Sequence, residues 1–124
     1  MGYYTWFSMK AKHIDSKEQY EKIIETLKTN DIYTHDDVYG IFESSEYFED
    51  CGEANFVVGE EHKWYDYSYD MMKISKLFPN VIFRLSGEGE EKDDMWHEYY
   101  HNGIIETCRA QIIFPQPTEI SWNE

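Results

Sequence analysis

The chain predicts an α+β fold, a two-layer sandwich in which an antiparallel sheet carries two helices on one face. Three observations predict it. Residues 3–12 alternate apolar and polar side chains at strand period. Tyr20, Ile23, Ile24 and Leu27 recur at helix period, and Asn102-Gly103 joins two further strand-like runs as the strongest two-residue hairpin signal. The resulting order is a βαββαβ core with an added C-terminal β-hairpin, in a single domain spanning 1–124.

Each element has its own signal. In the first strand Thr5, Phe7, Met9 and Ala11 point one way, and Tyr4, Trp6, Ser8 and Lys10 the other. Asp15, with Glu18 three residues on, is the expected N-cap of a helix over 16–29, and Asn30 its stop. Residues 38–42 and 54–59 are short apolar runs that read as brief strands, with 43–53 between them as an acidic loop or single helical turn. A second helix is expected over 65–78: Met71, Ile74 and Phe78 share a face, Met72 and Leu77 broaden it, and Pro79 closes it. Residues 80–86 form a strand and 87–94 a mobile acidic turn. Residues 95–101 and 104–114 form the last hairpin, and 115–124 a short tail. In the second arm Ile104, Glu106, Cys108, Ala110, Ile112 and Phe114 face one side.

Charge is the most uneven property of the chain. The net charge is −14, and residues 31–70 contribute −11 of it, with twelve acids against the single base Lys63. Such a concentration repels itself, so it asks for a cationic partner, a cation or a solubilising role. Aromatic content of 18% is too high for a disordered acidic tail, which places the charge on a folded body. No apolar run approaches the ~20 residues that span a bilayer, and the start lacks the basic region of a signal peptide. Cys51 and Cys108 make no disulfide framework and fit a reducing cytoplasm. An acidic surface repels phosphates, which argues against direct binding to duplex nucleic acid or an anionic membrane.

No complete catalytic set accompanies the acids, and no motif implies a cofactor. His97-Glu98-Tyr99-Tyr100-His101 matches the H-E-x-x-H pattern, which binds zinc when a helix brings both histidines to one metal. Here Asn102-Gly103 follows at once and the tyrosines favour a strand, on which His97 and His101 stand roughly 13 Å apart. A metal-dependent hydrolase using this segment is therefore the alternative reading. The acidic turns lack the ligand alternation of a calcium loop. Gly87-Glu88-Gly89 is no phosphate cradle, because its own acid repels the phosphate.

The aromatic residues interleaved with the acids carry the leading reading. Tyrosine and tryptophan anchor interfaces, while carboxylates select arginine and lysine on the partner. The candidate partner-binding residues are Asp36, Asp37, Glu43, Glu46, Tyr47, Glu49, Asp50, Glu53, Glu60 and Glu61. They are expected to engage a basic protein surface. A third reading is a homodimeric interaction domain in which acidity serves only solubility.

One stretch also carries a family pattern. It comprises Trp64-Tyr65-Asp66, Met72, Ile74-Ser75-Lys76-Leu77-Phe78-Pro79-Asn80-Val81, Phe83 and Leu85-Ser86-Gly87-Glu88-Gly89-Glu90-Glu91, then Asp94-Met95-Trp96, Tyr99 and Asn102-Gly103. With the opening Tyr3-Tyr4-Thr5-x-Phe7, it resembles small proteins of phages and conjugative elements in Gram-positive bacteria. It is also similar to the ferredoxin-like domain of the YubB-like plasmid and phage proteins. The resemblance covers roughly half of the chain, and 43–53 departs from it. It implies a ferredoxin-like core, a bacterial cytoplasm and a mobile-element setting, and it carries over no catalytic residues. In that setting compact acidic proteins inhibit host DNA-binding proteins, including CRISPR nucleases and restriction enzymes, so a DNA-mimic inhibitor of a host defence nuclease is the specific expectation.

Overall fold

A computed structural model describes residues 4–29, 44–57 and 64–122. Its elements are β1 (Trp6–Lys12), α1 (Lys17–Thr29), β2 (Ser44–Phe48), β3 (Glu53–Val57), α2 (Tyr67–Leu77), β4 (Ile82–Glu88), β5 (Met95–His101) and β6 (Ile104–Arg109). The six strands form one open antiparallel sheet in the order β2-β3-β1-β4-β5-β6. The fold is α+β. The strand expected over 38–42 lies outside the described residues.

Period-two alternation separates the two faces of the sheet. Phe7, Met9 and Ala11 of β1, Ala54 and Phe56 of β3, Phe83 and Leu85 of β4, and Trp96 and Tyr100 of β5 are buried. They share one core with Ile23 and Leu27 of α1 and with Met71 and Ile74 of α2, so both helices cover the same face. Among the described residues no helix covers the other face, the open face of the sheet.

The first helix is capped one residue later than the sequence suggests. Ser16, not Asp15, accepts the Gln19 amide at 3.1 Å, and the Gln19 side chain accepts the Asp15 amide at 2.9 Å. This is a Ser-x-x-Gln form of the capping box, shifted by one position in the backbone donor it satisfies. In α2, Leu77 does not join the buried stripe: it is 62% exposed, whereas Met71, Ile74 and Ser75 face the core.

The acidic segment 43–53 is neither a loop nor a helical turn over its described part. Ser44–Phe48 pairs with Glu53–Val57, and residues 49–52 close the hairpin. Gly52 makes the turn workable, with φ at +66° and a position where a Cβ would stand 2.7 Å from the Ile14 carbonyl oxygen. Its own carbonyl accepts the Ile14 amide at 2.9 Å, which ties this hairpin to the exit of β1.

The later strands differ from expectation in length. β4 runs on through Glu88, because Trp6 and Met95 both offer it partners, so the acidic turn shrinks to 89–94. β6 stops at Arg109 instead of Phe114. Its partner β5 begins at Met95, so residues beyond Ala110 have no further β5 residue to pair with. Asn102 and Gly103 both take positive φ, as a two-residue turn requires.

Candidate functional site

Five of the ten candidate partner-binding residues lie on the β2–β3 hairpin. Glu46, Glu49 and Asp50 are exposed there. Glu46 sits on the open face of the sheet, paired across to Asn55, while Glu49 and Asp50 occupy the turn. Phe48 is 43% exposed and lies opposite Glu53, giving the hairpin an apolar contact beside its acids. Glu53 is half-buried and engaged by the chain itself: Lys10 Nζ lies 3.0 Å from Oε1. That hydrogen bond holds the Glu53 carboxyl below its ordinary value.

Tyr47 does not share this surface. It points to the helix-covered side, where its ring stacks on Tyr20 at 5.0 Å between centroids. Its hydroxyl titrates above the usual tyrosine value, chiefly through partial burial and then through the field of Glu49, Asp15 and Glu18. Tyr47 thus packs against the core while staying partly exposed. Asp36, Asp37, Glu43, Glu60 and Glu61 lie outside the described residues.

The turn between β4 and β5 supplies a second acidic group, outside the candidate set. Glu88, Glu90, Glu91 and Asp93 are exposed, and Asp94 pairs with Arg109 at 2.6 Å. Strand register sets the two groups at opposite ends of the sheet, since Ala54 lies beside Ala11 of β1 and Glu88 beside Trp6. Next to the second group a groove of about 450 Å³ on the open face is lined by Trp6, Ser8, Ser86, Met95, His97 and Cys108 among others.

The H-E-x-x-H segment is a β-strand, as the tyrosines and the following turn suggest. Alternation therefore sends His97 and His101 to the open face and Glu98 to the helix-covered face. Among the described residues no group of three or more histidine, cysteine or acidic side chains could hold a metal ion. Glu98 is instead the centre of a buried hydroxyl cluster. Its Oε1 accepts from Ser68 Oγ of α2 and, at 2.5 Å, from the Tyr100 hydroxyl, and its Oε2 accepts from Thr107 Oγ1 at 2.7 Å. Burial first, and the hydrogen bond to Glu98 second, push the Tyr100 hydroxyl far above its usual value, so it stays a donor. The arrangement can hold a buried carboxylate with three donors. It gives neither histidine access to that carboxylate.

No family model, curated protein or solved structure matches the chain. Among the described residues no helix is long and apolar enough to cross a membrane.

Proposed function

We propose that this chain is a binding protein whose acidic β2–β3 hairpin engages a basic protein surface. The observation that carries the reading is the display of Glu46, Glu49 and Asp50, all exposed, on a strand-paired scaffold with Phe48 as an apolar neighbour. A paired scaffold holds the carboxylates without the ordering entropy that a flexible acidic tail would lose on binding. Exposed charges on such a surface speed encounter and select a cationic partner, and an exposed aromatic ring supplies contact area.

The partner class we infer is a nucleic-acid-binding protein, with carboxylates taking positions meant for phosphates. A host defence nuclease in a phage or mobile-element setting is the specific case. The element order, with β1 between β3 and β4 and a hairpin added beyond β4, supports reading the first four strands and two helices as a ferredoxin-like unit.

The test is capture from a bacterial lysate on the immobilised protein, with identification of what is retained. Retention of a DNA-binding protein, its release by duplex DNA or by raised salt, and its loss in a Glu46→Lys/Glu49→Lys/Asp50→Lys variant support the reading. Retention that neither salt nor the triple charge reversal alters would sink it, since exposed charge pairs are screened.

A further inference from the structure

We propose that the open face of the sheet carries an oxyanion site for the phosphate group of a small phosphorylated ligand, built from Lys10, Lys12 and Arg84 beside Tyr99. In a chain of net charge −14 these three cations share one patch of two neighbouring strands. Lys10 stands directly opposite Arg84, and Arg84 directly opposite Tyr99. Like charges placed directly across strands are unfavourable unless an anion lies between them. Lys12 extends the patch two positions along β1, about 7 Å further, within reach of the same group by a long side chain.

The three cations line a cavity of about 180 Å³ together with Ile82 and Tyr99, and every charged residue in its wall is a cation. Arg84 Nε is buried and has no hydrogen-bond partner among the described residues. A buried donor left unpaired is costly, and a phosphate oxygen is the acceptor that a guanidinium fork fits best. Glu53 engages Lys10 at 3.0 Å, so the patch is already partly neutralised on one side. Glu53 also lies in the field of Lys12, so one carboxylate serves two lysines. Arg84 has no ion-pair partner among the described residues, and three cations against that one acid leave a surplus of positive charge suited to a phosphate monoester. The acidic 89–94 turn stands away from it: Glu88 is four strand positions from Arg84, about 13 Å, against a screening length of about 8 Å.

Tyr99 gives the site a second recognition element. Its half-exposed ring borders the cations, and a planar group attached to the phosphate could lie against it. A small ligand avoids the repulsion that the acidic ends of the sheet impose on a long polyanion.

The probes are inorganic phosphate and AMP, each titrated into isotope-labelled protein at ionic strength matched with sodium chloride. Saturable amide shifts centred on Lys10, Lys12, Arg84 and Tyr99 are expected, with binding weakened about tenfold or more in Arg84→Gln and separately in Lys12→Gln. A response to phosphate alone assigns a free oxyanion, and a tighter response to AMP assigns a nucleotide-like ligand; both support the site. Non-saturating shifts, shifts reproduced by chloride, or unchanged affinity in a folded Arg84→Gln or Lys12→Gln protein would overturn it. Lys12→Gln keeps the test decisive if Arg84→Gln fails to fold.

Discussion

The indole of Trp96 covers Gly87 on the neighbouring strand so closely that a Cβ at Gly87 would collide with its Cζ2 and Cε2 atoms. Phe7 flanks Gly87 from β1, and Trp96 meets Phe7 edge-on at 6.2 Å and stacks on Tyr67 at 4.7 Å. The missing side chain is what lets this aromatic layer close over the sheet. Gly87→Ala is therefore expected to lower stability by about 1–3 kcal/mol, as overpacking does. Denaturant unfolding measures it, and adding Trp96→Leu should make the alanine nearly harmless. If the alanine costs as much in the Trp96→Leu background, the collision is not the cause.

Glu98 joins three elements through one carboxylate: Ser68 from α2, Tyr100 from β5 and Thr107 from β6. Removing it strands three hydroxyls and opens space in the core, so Glu98→Ala should cost about 2–4 kcal/mol and Thr107→Val about 1 kcal/mol. Because the two share a bond, the double variant should cost less than the two single effects together. Strict additivity in a double-mutant cycle would contradict a direct interaction.

The Lys10–Glu53 pair sets a pH dependence of known sign. The Glu53 carboxyl is held below its usual 4.5 by Lys10, so the folded state binds its proton less readily than the unfolded chain. The pair's stabilisation is present above that value and fades as pH falls through the lower, folded-state value. Melting temperature followed from neutral to acid pH should drop less steeply for Lys10→Met than for the parent protein. Parallel curves would show that the pair contributes nothing.

Ser16 caps α1 with its side chain, whereas Asp15 contributes only its amide to Gln19 and its carboxylate to the Ser16 hydroxyl. Ser16→Ala should thus destabilise by about 1 kcal/mol, and Asp15→Ala by less. Thermal unfolding of the two variants side by side checks the order.

Much of the architecture was legible because its signals are local. The stripe Tyr20, Ile23, Ile24 and Leu27, the alternation Phe7, Met9 and Ala11, and the turn at Asn102-Gly103 each depend on neighbours within a few residues. β2 was harder. Ser44, Ser45 and Glu46 are poor strand formers, and what makes them a strand is pairing with Val57, Phe56 and Asn55 of β3, which is anchored in the core by its buried Ala54 and Phe56. Gly52, at positive φ, is the local sign of the hairpin. The candidate surface was half legible for the same reason: acids are visible in sequence, but the face each one takes is decided by register. That is why Glu46 and Tyr47, adjacent in sequence, part company. The meeting of Lys10 with Arg84 depends on the pairing of strands far apart in the chain, and no local pattern announces it.

All six residues of β6 are exposed, so among the described residues its hold on the molecule comes chiefly from the ladder to β5, with the Arg109–Asp94 pair at its end and the inward tie of Thr107. It is the strand expected to peel first, opening at lower free energy than the rest of the sheet. Peeling would bare the outer edge of β5 and loosen one of the three knots around Glu98, while the other five strands stay paired. Residues 110–122 follow directly, with Ile112, Ile113, Phe114, Ile120 and Trp122 turned to solvent. This part of the chain thus sets a detachable seam beside an adhesive stretch, and strand exchange between copies, if it occurs, is expected to start there.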